Sequence, residues 1–328
     1  MKKYLFFRTD RIGDFLVSLI LIKAIKRNDP SAYIKIVSSE KNYYFIDKIP
    51  YINEIILYPK TFNEKISLFF KLNKDQYDFV GTLDGKKRSI YFTILLKSNY
   101  KILLTTKNFF EKYFSFFFSD IINFNKVSSK IEEIKYILKK INFNFIEKDL
   151  NLFDHEENEI ENSKDLKDFI LIHFDEKWIK GDYIDSYTTI EPNLKDFELF
   201  LNEIIFKMKS DIVITTGSTY NKLIENFIYN FERLDKNLFI KKKNNYKIYL
   251  YNRLSIFDLK NLIKKSKIII TCHGAVSHIA AAYNKKIIDI FEFSHKNFYI
   301  KWSKHFRNYN YIFRTEFINL KENILKIL

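Results

Sequence analysis

The sequence predicts an α/β protein built from two doubly wound, Rossmann-like domains, with a helix at its carboxyl end. Three observations carry that expectation. Short apolar runs alternate with segments of helical periodicity, a polar and acidic stretch interrupts them midway, and the same rhythm then resumes. At 328 residues, 47% hydrophobic and 29% charged, the chain is also long and apolar enough for two domains that each bury a core.

In order, the first half reads "KYLFFR" and a helix from Phe15 to Lys26; "YIKIVSS" and "YYFIDKI"; "EIILY" and "EKISLFFKL"; "YDFVGTL" and "SIYFTILL"; then "YKILL" and two further helical segments. Near-continuous apolar strands of this kind belong to parallel sheets covered on both faces. After Lys148 the stretch "DHEENEIENSKDLKD" marks the domain junction, giving residues 1–160 and 161–328. Strands then follow at Phe169 ("FILIHF"), Asp211 ("DIVITT"), Lys247 ("KIYLY"), Lys267 ("KIIIT") and Lys286 ("KIIDIF"). A terminal helix is expected over "EFINLKENILKIL", where Phe317, Ile318, Leu320, Ile324 and Leu325 fall at helical spacing. Ligands of such sheets bind at the carboxyl ends of the strands, so the loops there are the first place to look for function.

The formal charge of +15 suggests an anionic partner, although abundant Lys, Ile, Asn, Phe and Tyr beside scarce Gly and Pro also fit an AT-rich genome. No interleaved basic and aromatic motif of a nucleic-acid module is present, so nucleic acid is not an expected partner. The single cysteine, Cys272, excludes an internal disulfide and a cysteine-cluster metal site. "MKK" passes straight into a strand without a signal-peptide core, and the expectation is a cytoplasmic protein. The segment from Asn108 to Ile122, "NFFEKYFSFFFSDII", is interrupted by Glu111, Lys112 and Asp120. It is shorter than the ~20 apolar residues a spanning helix needs. It reads as a helix packed on a sheet or, alternatively, as an aromatic face resting on a membrane.

Where the first strand hands over to a helix the chain reads "RTDRIGD", residues 8–14. Gly13 permits close backbone approach, and Asp14 is expected at the amino-terminal cap of the helix beginning at Phe15. Capping accounts for one carboxylate and leaves Arg8 and Arg11, whose guanidinium groups suit an anionic acceptor. With one glycine, the loop is neither a phosphate loop nor a dinucleotide fingerprint.

A second constellation, "CHGAVSHIAAAY", sets His273, Gly274, Ala275, Ser277 and His278 between a strand ending at Thr271 and a small-residue helix over Ile279–Tyr283. N–H groups at a helix start suit a diphosphate, while a close-packed turn with His278 bonded to a local carbonyl is the competing reading. No HExxH or Cys/His spacing points to zinc. Ser255 and Asp258 form a helix-start signature. Lys177, followed by Trp178, lies just past the first strand of the second half, where it would neutralise a diphosphate or simply be solvated.

Together these pieces resemble the ADP-heptose:lipopolysaccharide heptosyltransferase family, inverting glycosyltransferases of the GT-B fold, over nearly the whole chain. The likeness is carried by "RTDRIGDFLVSLILIKAIKRNDPSAYIKIV", "YDFVGTLDGKKRS" and "LSIFDLKNLIKKSKIIITCHGAVSHIAAAYNKKIIDIF". It implies an acceptor-binding first domain, a nucleotide-sugar-binding second domain and metal-independent transfer without a cofactor, ADP-heptose being the first candidate donor. By the same resemblance Asp14 is the general base, Lys177 binds phosphate, His278 is a donor-site histidine and Leu254 lies near the nucleobase. The implied acceptor is an anionic lipid-linked glycan of the envelope, such as the lipopolysaccharide core. A peripheral position on the membrane surface, at the inner face of the bacterial inner membrane, goes with it. The family commonly has Asp-Ser/Thr-Gly before the histidine; this chain has His273-Gly274-Ala275 or, shifted by one, Cys272-His273-Gly274. That departure keeps open a noncatalytic nucleotide- or glycan-binding protein on the same scaffold.

Overall fold

The apolar strands of the first half pair in parallel throughout, the central ones buried on both faces. They are β1 (Lys3–Phe7), β2 (Tyr33–Ser38), β3 (Glu54–Leu57), β4 (Phe79–Thr82), β5 (Lys101–Thr105) and β6 (Asp120–Asn123), in the order β3-β2-β1-β4-β5-β6. A computed structural model describes residues 1–153, 166–179, 184, 186–217 and 219–328. The chain divides into two compact units, Met1–Leu152 with Lys301–Lys304 and Phe153–Ile300 with His305–Leu328. The junction expected at residues 160/161 lies outside the described residues.

The helices of the first unit are α1 (Ile12–Asn28), α2 (Tyr43–Ile46), α3 (Phe62–Asn73), α4 (Lys87–Leu95), α5 (Asn108–Tyr113) and α6 (Lys130–Lys140). From Phe15 to Ile25 every residue of α1 is buried, the signature of a helix enclosed on all sides. Strand alternation sends Leu5, Phe7, Val37 and Val80 to one face, where they meet Leu68 and Leu72 of α3 and, beside them, Phe92 and Leu96. The segment Asn108–Ile122 is not one helix. It breaks after α5 into a single 3-10 turn, Ser115–Phe117, and then enters β6, which pairs with the open edge of β5 from Ile102↔Asp120 to Thr105↔Asn123. Main-chain pairing along that edge outcompetes continued helix in a run rich in aromatic, strand-favouring residues.

The second unit repeats the plan. Its strands are β7 (Ile170–Phe174), β8 (Ile212–Thr216), β9 (Glu232–Asp235), β10 (Leu238–Lys243), β11 (Tyr246–Tyr251), β12 (Ile268–Cys272), β13 (Lys286–Phe291) and β14 (Tyr309–Phe313). Their order is β14-β13-β12-β7-β8-β11-β10-β9; six pair in parallel, β10 pairs antiparallel with β11, and β9 antiparallel with β10. Asn244, at φ 55°, lets the chain reverse between β10 and β11. The helices are α7 (Leu194–Met208), α8 (Lys222–Ile228), α9 (Ile256–Lys265), α10 (Ala275–Ala282), α11 (Lys296–Ser303) and α12 (Phe317–Ile327). The terminal helix stands where its spacing placed it: Phe317, Leu320 and Ile324 are buried, Phe317 edge-on to Phe200 at 5.7 Å, whereas Ile318 faces outward.

Leaving aside the β9–β10 extension, both sheets share one doubly wound order, which makes the fold class the expected one. Such a sheet has a switch point where neighbouring strands send their connections in opposite directions. It falls between β1 and β4 in the first unit and between β7 and β12 in the second. Among the described residues no helix is long and apolar enough to cross a membrane.

Candidate active site

At the first switch point the loop after β1 is tied to the loop after β4. Thr9 donates its hydroxyl to Asp84 at 2.6 Å, and Ser89 does the same at 2.8 Å. Lys86 donates to the Thr9 carbonyl at 2.8 Å and Arg88 to the Thr9 hydroxyl at 2.8 Å, so two basic side chains from the second loop stand over the first. Asp14 is half-buried in the opening turn of α1, and its carboxylate accepts the Arg11 N–H at 3.2 Å. The helix therefore begins three residues earlier than expected, at Ile12. Asp14 is its third residue and not its cap, a position that a carboxylate bonding back to the first N–H groups favours.

Arg8 turns inward. Its side chain is only 4% exposed, and its guanidinium donates to the Leu83 carbonyl at 2.5 Å and to the Asp14 carbonyl at 2.6 and 3.1 Å, with Asp10 at 3.2 Å. Tied to these carbonyls inside the unit, Arg8 braces the main chain at Asp14. Arg11 is exposed at the helix start and Gly13 is half-exposed beside it. Burial pushes the Asp10 carboxyl up to about 6; Arg8 opposes the shift, and the nearby charges of Asp14 and Asp84 add to it. Lys130, first residue of α6, is buried against Glu133 at 2.9 Å. Burial holds its ammonium below the ordinary lysine range against the pull of Glu133; Arg8 adds to the lowering and Asp14 opposes it.

At the second switch point Trp178 is the anchor. Fully buried, it stacks on Phe174 at 4.9 Å and donates its indole N–H to the His173 carbonyl at 2.9 Å. This fixes a single 3-10 turn, Glu176–Trp178, capped by Asp175, whose carboxylate accepts the Lys177 N–H at 3.1 Å and pairs with the Lys177 ammonium at 2.8 Å. Burial disfavours both charges, yet each partner prevails: Lys177 is held above the usual lysine range and Asp175 below the usual carboxylate range. The Lys177 ammonium lies only 2.6 Å from where a side chain on Gly274 would begin. A glycine at that position lets the lysine reach the start of α10.

That helix starts at Ala275, four residues before the expected Ile279, with the Ser277 hydroxyl accepting the Gly274 N–H at 3.3 Å. Ser277 and His273 both reach Asp289, a fully buried carboxylate on β13, at 2.8 and 2.5 Å, and the Tyr309 hydroxyl donates to it at 2.9 Å. Asp289 thus orients the His273 ring through Nδ1, with Tyr299 packed on it at 4.4 Å and His278 at 5.4 Å. His278 lies against Phe306 and His305; burial pushes the His305 imidazole down to about 4. Leu254 is half-buried between β11 and α9, directly before Ser255, whose hydroxyl accepts the Asp258 N–H at 3.2 Å as its signature predicts.

Two separate clusters therefore emerge: Arg8, Arg11, Gly13 and Asp14 at the first switch point, and Lys177, His273, Gly274, Ala275, Ser277 and His278 at the second. Sequence reasoning missed Asp84, Lys86, Arg88, Asp175 and Asp289. For Asp289 a signal existed, a lone acid inside the apolar run "KIIDIF". Among the described residues no group of three or more His, Cys, Asp or Glu side chains is placed to hold a metal ion.

Against known proteins, no family model matches the chain and no curated protein matches it. Solved structures do. The E. coli heptosyltransferase WaaC with ADP is 13% identical, with a TM-score of 0.69 over 99% of this chain and 100% of that one. The E. coli ADP-heptose LPS heptosyltransferase II is 13% identical, with a TM-score of 0.66 over 99% and 97%. The UDP-GlcNAc 2-epimerase from Methanocaldococcus jannaschii is 14% identical, with a TM-score of 0.55 over 100% and 92%. At these identities the likeness is one of fold: the GT-B architecture extends over the full chain.

Proposed function

We propose that this protein is an inverting, metal-independent glycosyltransferase that moves a sugar from a nucleotide-diphosphate donor to an anionic envelope glycan. A heptose carried on ADP is the first candidate donor and the lipopolysaccharide core the first candidate acceptor. The observation that carries the reading is the Lys177 ammonium, held by Asp175 at the start of α10 where Gly274 leaves room for it. A half-buried cation, fixed by its carboxylate partner beside helix-start N–H groups, suits the charge that grows on a departing diphosphate.

In the proposed reaction the acceptor hydroxyl gives its proton to the Asp14 carboxylate as its oxygen bonds to the anomeric carbon. The bond from that carbon to the diphosphate oxygen breaks, and the nucleoside diphosphate leaves with the electron pair. Asp14 need only accept a proton in the transition state, and Arg8 fixes its main chain for that task. Lys86, Arg88 and Arg11 supply positive charge around the acceptor, while His278, Ser277 and Leu254 line the donor side. His273, whose Nδ1 is bonded to Asp289, offers Nε2 as acceptor to a sugar hydroxyl. Anionic membrane lipids around the acceptor favour a peripheral site of action.

A donor screen read by mass spectrometry, with extracted lipopolysaccharide as acceptor, tests this directly. One donor should raise the acceptor mass by a single sugar and release its nucleoside diphosphate. Tight nucleotide binding with no mass change for any donor would replace transfer by the noncatalytic reading.

A further inference from the structure

The face of the first sheet that carries Leu5, Phe7, Val80, Thr82 and Leu103 is covered by α3, α4 and α5. Each of these helices also turns large apolar side chains outward. On α3 they are Phe62, Ile66 and Phe70, spaced four residues apart; on α4, Tyr91 and Leu95. The densest group lies on α5 and the turn after it, where Phe110 and Phe118 enter the core while Phe109, Tyr113, Phe116 and Phe117 remain 57, 56, 92 and 46% exposed. These rings touch in series, Phe109 to Tyr113 at 4.8 Å and Phe116 to Phe117 at 5.6 Å. An exposed aromatic cluster of this size is unusual on a water-facing surface and calls for a partner.

The charge of the same stretch identifies the partner. From Lys60 to Lys126 there are twelve Lys and Arg residues against six Asp and Glu. Lys87, Arg88, Lys97, Lys107 and Lys112 are exposed, and Lys112 lies over the Tyr113 ring at 5.1 Å. Aromatic rings rimmed by lysines match an anionic bilayer, whose head groups attract the cations and whose boundary with the acyl chains accepts the rings. We propose that Phe109, Tyr113, Phe116 and Phe117, with Lys107 and Lys112, form a docking surface for an anionic lipid membrane. The surface uses none of the residues given a part in the proposed transfer and stands whether or not the transferase reading holds.

The test is a Phe116→Trp variant of the full chain, read by tryptophan emission. The native Trp178 and Trp302 are both buried and contribute a steady background. Emission from the new indole should shift to the blue on phosphatidylcholine–phosphatidylglycerol vesicles and stay unchanged on phosphatidylcholine alone. Lys107→Glu with Lys112→Glu should weaken that binding about tenfold while leaving the thermal midpoint in place. Absence of the shift on anionic vesicles overturns the proposal. So does a blue shift that grows with protein concentration in the absence of lipid, which would assign the surface to a second copy of the chain.

Discussion

Asp10 and Asp14 share one loop but not one environment. Asp14 is half-buried and bonded to the start of its helix; Asp10 is closed in by Arg8, with Asp84 and Lys86 also felt through their charges. Because burial raises the Asp10 carboxyl to about 6, the folded chain binds more protons than the unfolded chain between that value and the ordinary carboxylate range. Stability is accordingly lost as the pH rises through this window and stays lower above it. Asp10→Asn should therefore stabilise the protein by up to about 3 kcal/mol near neutral pH and have almost no effect near pH ~4, as denaturant titration at the two pH values would show. The sequence displayed both aspartates without distinguishing them. What separates them is the loop after β4, more than seventy residues away. The same distance hid the role of Arg8, since charge is legible in a sequence but the destination of a guanidinium is not.

At the level of elements, local chemistry was most legible where a helix starts on a side-chain cap, as at Ser255 and Asp258. It was least legible where the start depends on a tertiary contact. The helix α10 begins at Ala275, directly after Gly274, because Ser277 and Asp289 secure the turn and Lys177 occupies the space beside it, none of which the run "GAVSHIAAA" announces. In Gly274→Ala the new methyl would stand 2.6 Å from the Lys177 ammonium, the mobile end of a long side chain. The lysine should yield, so thermal stability should change by no more than about 1 kcal/mol. ADP affinity, measured by calorimetry, should fall about tenfold, a loss of ~1.4 kcal/mol, as the cation leaves its place. The aromatic segment after Asn108 misled for a related reason: its periodicity suits a helix, but the free edge of β5 claims its second half.

Across the whole molecule the doubly wound plan was readable from β-α alternation, because strands buried on both faces leave uninterrupted apolar runs. The strands that escaped, β6, β9, β10 and β14, lie at or near sheet edges, where polar residues are tolerated and the apolar signal fades. The two units should also differ in their response to acid. Burial pushes His173 and His305, both in the second unit, down to about 4. An unfolded chain protonates its histidines near pH ~6.5, so below that value it binds protons the fold refuses, and up to about 3 kcal/mol per group is lost on the way to pH ~4. Asp10 in the first unit gains over part of the same range. Hydrogen exchange, corrected for intrinsic rates, should show β7 and β12 losing protection on acidification before β1 and β4 do. The central proposal is that Asp14 is the proton acceptor of sugar transfer. The most direct measurement is single-turnover sugar transfer by Asp14→Asn beside the calorimetric affinity of the same variant for ADP. The account predicts a rate lowered by about 10²–10⁴-fold with unchanged ADP affinity. Transfer at the unmodified rate would contradict it.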